Sequence, residues 1–157
     1  MASIRDKLTQ IQEHRQSIRD LISISTDGIV SNDVLYLAGI KVPFNEEWKI
    51  TEGFYGLIIH ASDFFDVIEV RFEKGAHVDK HFHPQSETFI VVDGEVELTY
   101  WNLDNEPITE TISANHSVSS TAIAGNTPHE LTAKTDGRFI SVLSPPIIER
   151  RTHENTI

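Results

Sequence analysis

From Gly28 onward the chain reads as a series of short β-favouring runs separated by turn residues, and this pattern restricts the fold more than any other feature. The runs are Val34 to Ile40, Trp48 to Ile50, Phe54 to His60, Phe65 to Phe72, Thr88 to Val92, Glu95 to Trp101, Pro107 to Ile112, Val118 to Ile123, His129 to Ala133 and Phe139 to Leu143. Strands this short and this closely spaced predict an all-β sandwich or barrel. Within Phe65 to Phe72, Ile68, Val70 and Phe72 fall on one face while Glu69 and Arg71 fall on the other, so the enclosed face should be apolar.

Asp93-Gly94 is a strong two-residue hairpin signal between β-favouring runs. A tight hairpin there pairs Val92 with Glu95, Val91 with Val96, Phe89 with Leu98 and Glu87 with Tyr100, and directly opposed residues share a face. If Glu87 points inward, Tyr100 points inward beside it. Tyr100 is then a candidate hydrogen-bond or proton donor, or simply a residue that fills the barrel.

Ahead of the β-region, Ser3 to Ile24 reads as a helix. Ser3 and Asp6 have the spacing of a capping box, and Ile4, Leu8, Ile11, Ile18 and Leu21 form one apolar stripe interrupted by Arg15. The stripe fits the outside of its own β-domain or the interface of a homodimer. The expected organisation is an N-terminal helix over residues 1–26, a β-barrel over 27–147 and a polar C-terminal tail over 148–157 that trails across the surface.

The net charge of −11 is carried by the β-region: the first 24 residues hold four basic and three acidic side chains, which leaves nine basic and twenty-one acidic in the rest. Such a surface repels phosphate backbones and argues against nucleic acid. Arg71, Lys74 and Lys80 are read as solvated strand-edge charges. No segment has the roughly 18 apolar residues of a membrane span, and the first residues lack a secretory h-region, so a cytoplasmic location without membrane contact is expected. The absence of cysteine excludes disulfides and thiolate ligands.

The chemistry is concentrated in GAHVDKHFHPQSETFIVVDG, residues 75–94. On a strand, His81 and His83 project to one side, and Glu87 can reach the same point if Pro84 turns the chain between them. A transition metal wants a further ligand, for which His129 in AGNTPHELTA is the best candidate and His116 the rival. On an unbroken strand, parity also places His77 and Asp79 on the face of His81 and His83. His77 is then a candidate base or a polar residue at the pocket rim.

This segment resembles the first signature of the cupin family: glycine, five residues, His-x-His, three or four residues, Glu, six residues, glycine. Gly75, His81, His83, Glu87 and Gly94 fill every fixed position. The second signature, Pro-x-Gly, two residues, His, three residues, Asn, is partial. Ile123 stands for the proline, Gly125 and His129 are separated by three residues, and Ala133 replaces the asparagine. The resemblance spans about residues 50 to 145 and implies an all-β double-stranded β-helix, or jelly-roll, barrel. It further implies one divalent transition metal (Fe, Mn, Ni or Zn, with Fe(II) favoured) on His81, His83, Glu87 and His129. The expected activity is that of a dioxygenase-type oxidoreductase acting on a small organic molecule. The alternatives are a non-redox metal-dependent isomerase or lyase, and a non-catalytic binding or sensing protein.

Overall fold

The computed structural model describes residues 3, 6, 7, 9–13, 34–115 and 118–151. The described part of the N-terminal region is helical at residues 6, 7 and 9–13. The expected capping box is formed: the Asp6 amide donates to Ser3 Oγ at 3.1 Å, and the Ser3 amide donates back to Asp6 Oδ2 at 2.9 Å. Ile4, Leu8, Ile18 and Leu21 of the expected stripe lie outside the described residues, as does His116. Among the described residues no helix is long and apolar enough to cross a membrane.

Everything else that is regular is strand: β1 (Val34–Leu37), β2 (Ile40–Val42), β3 (Trp48–Thr51), β4 (Phe54–Ala61), β5 (Asp66–Phe72), β6 (His77–His81), β7 (Ser86–Asp93), β8 (Glu95–Trp101), β9 (Pro107–Ser113), β10 (Ser120–Ile123), β11 (His129–Ala133), β12 (Gly137–Ser144) and β13 (Ile148–Arg151). They build a six-stranded sheet in the order β10-β7-β12-β5-β4-β3, a four-stranded sheet β6-β11-β8-β9 and a three-stranded sheet β13-β1-β2. Every pairing is antiparallel, which gives the jelly-roll barrel. Phe54, Phe72, Phe89 and Phe139 fill the interior, each no more than 3% exposed, with Phe89 and Phe139 edge-to-face at 5.6 Å. Ile68, Val70 and Phe72 point into this core as the alternation predicts. Glu69 faces the other way, yet it too is buried, with Arg138 Nη1 donating to it at 2.7 Å.

Three expectations are corrected. Residues 93 and 94 do not close a hairpin: β7 pairs with β10 and β12, whereas β8 pairs with β11 and β9. The turn carries the chain from one sheet to the other. At this corner Gly94 has φ 79°, and a Cβ there would lie 2.3 Å from the Asp136 carbonyl oxygen, so a second corner at residues 136–137 crosses in contact with it. Strand alternation is local and survives the error, so Phe89, Val91, Val96 and Leu98 are all buried in the core.

The run Val34 to Ile40 is split by a turn at Ala38 and Gly39, both at positive φ, into β1 and β2. Residues 148–151 of the expected tail are instead β13, paired along β1, with Ile148 5% exposed. Buried Asp66 at the start of β5 holds this return, since its Oδ2 accepts the Ile147 and Ile148 amides at 2.7 Å each. Residues 152–157 lie outside the description.

Candidate metal centre

His81 ends β6, His83 stands in the turn that follows, Glu87 is the second residue of β7, and His129 opens β11 directly opposite His81. The structure brings all four together. The ligand nitrogens of the three histidines lie within 4.8 Å of one another. Glu87 Oε1 is 3.1 Å from His83 Nε2 and 3.6 Å from His129 Nε2.

The backbone sets the tautomers. His81 Nδ1 is 2.7 Å from the Asp79 carbonyl, His83 Nδ1 is 3.1 Å from the Gln85 carbonyl, and His129 Nδ1 is 2.7 Å from the Thr127 carbonyl. A carbonyl oxygen can only accept, so each Nδ1 carries the proton and each Nε2 presents a lone pair to the interior. His129 Nε2 is buried without a hydrogen-bond partner. Three lone pairs and a carboxylate aimed at one point repel each other unless a cation sits among them, and an N/O donor set of this kind suits a divalent transition metal. The residues present therefore fit the metal that the sequence implies.

The electrostatics agree. Burial alone would raise the Glu87 carboxyl, but the close approach of His129 and His83 and the hydrogen bond from Ser141 outweigh it and hold the group down at about 2, so it is a carboxylate at neutral pH. Burial lowers His81, against the pull of its bond to the Asp79 carbonyl, and keeps it in the neutral form a ligand needs. His83 is raised by the Glu87 carboxylate beside it.

Ser141 donates to Glu87 Oε2 and was not foreseen in the sequence. Its signal was there: it is the one polar residue on the inward face of β12, between Phe139 and Leu143. Ser141→Ala is expected to leave Glu87 with a free oxygen and to weaken metal affinity roughly 10- to 100-fold, measured by competition with a chelating dye. An unchanged affinity would show that Ser141 does not orient the ligand.

Gly125, from the partial second signature, also has a structural role. A Cβ there would lie 2.1 Å from the Pro84 carbonyl oxygen, and the neighbouring Asn126 amide donates to the His83 carbonyl at 2.7 Å. The turn carrying His83 is thus packed on the turn before His129. Gly125→Ala should push the two apart and lower metal affinity roughly tenfold or more in the same titration.

The two candidate proton carriers lie elsewhere. Tyr100 stands opposite His129 across β8 and β11, but its hydroxyl donates to Glu110 Oε1 at 3.4 Å, and it does not line the cavity in front of the three histidines. Its expected partner Glu87 is on the other sheet, because residues 93–94 are a corner. His77 points outward, with Nδ1 2.8 Å from Thr132 Oγ1 and Nε2 3.8 Å from both Asp79 and Glu130. The cause is a bulge. Between the pairs His81–His129 and Val78–Leu131, β6 has one residue more than β11, and this extra residue reverses the parity N-terminal to it. Val78 therefore lines the cavity and His77 does not.

The cavity in front of the four ligands has a volume of about 420 Å³ and is walled mainly by aliphatic and aromatic side chains, among them Leu37, Trp48, Phe54, Leu131 and Ile147. Arg71 and Lys80 are outside it, Arg71 pairing with Glu47 and stacking on Tyr55, and Lys80 lying 3.7 Å from the Trp101 ring centre.

An antiparallel barrel with three imidazoles and a carboxylate converging in an apolar interior defines a small jelly-roll protein with a candidate metal centre. Comparison with known proteins agrees. The family profile described as "Cupin domain" matches residues 68–143. An RmlC-like cupin from Shewanella frigidimarina is 23% identical with a TM-score of 0.55, covering 64% of this chain and 84% of that one. KdgF from a Halomonas species is 20% identical with a TM-score of 0.55, covering 64% and 87%. A variant of oxalate decarboxylase from Bacillus subtilis is 16% identical with a TM-score of 0.57, and the match covers 74% of this chain but only 30% of that longer one. No curated protein matches the sequence. Residues 68–143 of the chain form a cupin domain.

Proposed function

We propose that this cupin is a mononuclear metal-dependent dioxygenase of a small organic molecule, with His81, His83, Glu87 and His129 as the ligands and Fe(II) as the working metal. The observation that carries the reading is the convergence of three Nε2 lone pairs and an ionised carboxylate on one point of a mostly apolar cavity. Fe(II) would supply the one-electron chemistry that couples dioxygen to a closed-shell organic molecule.

The chain's own part is positioning and exclusion. Ser141 and the Asp79, Gln85 and Thr127 carbonyls orient the four ligands. The apolar walls keep water from the reacting groups, and the Glu87 charge offsets half that of a divalent ion. Tyr100 and His77 are turned away, Ser141 is occupied with Glu87, and Asp79 lies at the exposed rim with Oδ1 3.8 Å from His77 Nε2, which favours a reaction that draws on dioxygen over one that needs a side-chain base held inside the cavity.

The test is anaerobic reconstitution with Fe(II), followed by oxygen-uptake measurements over a panel of small aromatic and enolic compounds. Uptake that requires iron and vanishes in His81→Ala is the expected result. Turnover that proceeds equally without oxygen would replace the proposal by isomerase or lyase chemistry. Tight metal and ligand binding with no turnover across the panel would replace it by a binding role.

A further inference from the structure

The cavity wall contains one feature that the metal site does not require. Trp48 on β3 stands directly opposite Gly56 on β4, and the two share the inward face. A Cβ at Gly56 would lie 2.6 Å from the indole Cη2 and 2.9 Å from both Cζ2 and Cζ3. An edge-on approach would leave the two flanking carbons much farther away than the central one. The near-equal distances therefore mean that the face of the six-membered ring lies flat on Gly56. Only glycine permits this contact, since any side chain would occupy the volume of the ring. Trp48 also lines the cavity that contains the four ligands. Its ring is thus pinned on one face by the β4 backbone while it borders the site. A fixed aromatic wall of this kind costs a ligand no ordering of the protein, and it favours a flat partner lying parallel to it.

We propose that Trp48 is a specificity-determining residue which selects a planar, conjugated substrate by stacking, and that Gly56 is the residue that positions it. This rests on the cavity being the substrate site proposed above. The remaining walls suit the same class of molecule. Phe54 and Phe139 present further aromatic surface, and Leu37 and Ile147 close the cavity with aliphatic groups from the three-stranded sheet and the segment entering it. The substrate class is therefore a flat ring system or extended enone with a small oxygen function to meet the metal, as opposed to a sugar or an aliphatic acid.

The experiment compares two probes of similar size and polarity, planar 2-naphthol and puckered decahydro-2-naphthol, by calorimetric titration of the full chain. The protein is used as purified and after metal removal. The wild type is expected to bind 2-naphthol at least tenfold more tightly than the saturated alcohol. That ratio should fall to near one in Trp48→Leu and be largely kept in Trp48→Phe. Gly56→Ala, which displaces the ring without removing it, should lower the ratio while melting shows a folded protein. A wild-type ratio near one, or a ratio unchanged in Trp48→Leu, overturns the proposal. Metal removal separates it from the metal reading. A Trp48-dependent ratio that persists in protein shown never to bind metal would uphold the stacking wall and refute the metal centre. Stoichiometric metal with no Trp48 dependence would do the reverse.

Discussion

His81→Ala combined with His129→Ala is expected to reduce metal content from about one ion per chain to roughly a tenth or less, because two donors from four leave His83 and Glu87 alone with the ion. Elemental analysis of the purified and reconstituted proteins reads this directly. The two positions are chosen because they face each other across β6 and β11, so the pair removes one whole side of the site. His129 is 1% exposed and its ring meets Phe89 at 6.2 Å between centres, so truncation opens a small void beside the core. The expected cost is about 2–3 kcal/mol, which lowers the melting temperature without abolishing the fold. His81→Gln with His129→Gln keeps more of the volume and should lose metal with a smaller stability change. Retention of more than about half the metal in either double variant would mean that the ion sits elsewhere.

The clustering of His81, His83, Glu87 and His129 was legible in the sequence because most of its geometry is local. His81, His83 and Glu87 lie within seven residues, and each tautomer is set by a carbonyl two residues away. The inward faces of β5, β7 and β8 were legible for the same reason, since alternation needs no knowledge of the partner strand. What failed depended on non-local partners. Asp93-Gly94 has the composition of a hairpin, yet the corner at residues 136–137 packs on it and the strands on either side part into different sheets. Parity from His81 back to His77 failed because a bulge on β6 is visible only against β11. Ile148 to Arg151 looked like a polar tail because two arginines and a glutamate are exposed or half-exposed there; the strand exists through β1 and Asp66. Trp48 and Gly56 were eight residues apart with no motif to connect them.

Asp66 gives the second large effect. Burial raises its carboxyl to about 6, although the Ile148 and Ile147 amides and Arg150 pull the other way. Oδ2 accepts both amides while Oδ1 is buried without a partner, so the charged form is only half compensated. A group whose pKa is higher in the folded state binds more protons folded than unfolded. Its contribution is complete below the unfolded value of 3.8 and is lost as pH rises through about 6. A shift of this size corresponds to about 3 kcal/mol at most.

Nearby His60, packed at a tilt against Phe65 at 4.7 Å and lowered by burial and by Arg150, works in the opposite sense, losing stability as pH falls below the ordinary histidine value. The Asp66 part must therefore be read as a difference. Wild type minus Asp66→Asn, by urea unfolding at a series of pH values, is expected to decline between about pH 4 and pH 7, because the amide variant has no charge to bury. A flat difference would show that Asp66 keeps its ordinary pKa in the folded protein. Asp66→Ala removes the acceptor of two amides at once. It should cost about 2–4 kcal/mol at the acid end of that range and less as pH rises, since the Ile147 and Ile148 amides lose their acceptor and the return of the chain into β13 loosens. Ile147 and Leu37 line the cavity beside that return, so the same variant should also widen access to the metal ligands, read as faster removal of the ion by an added chelator.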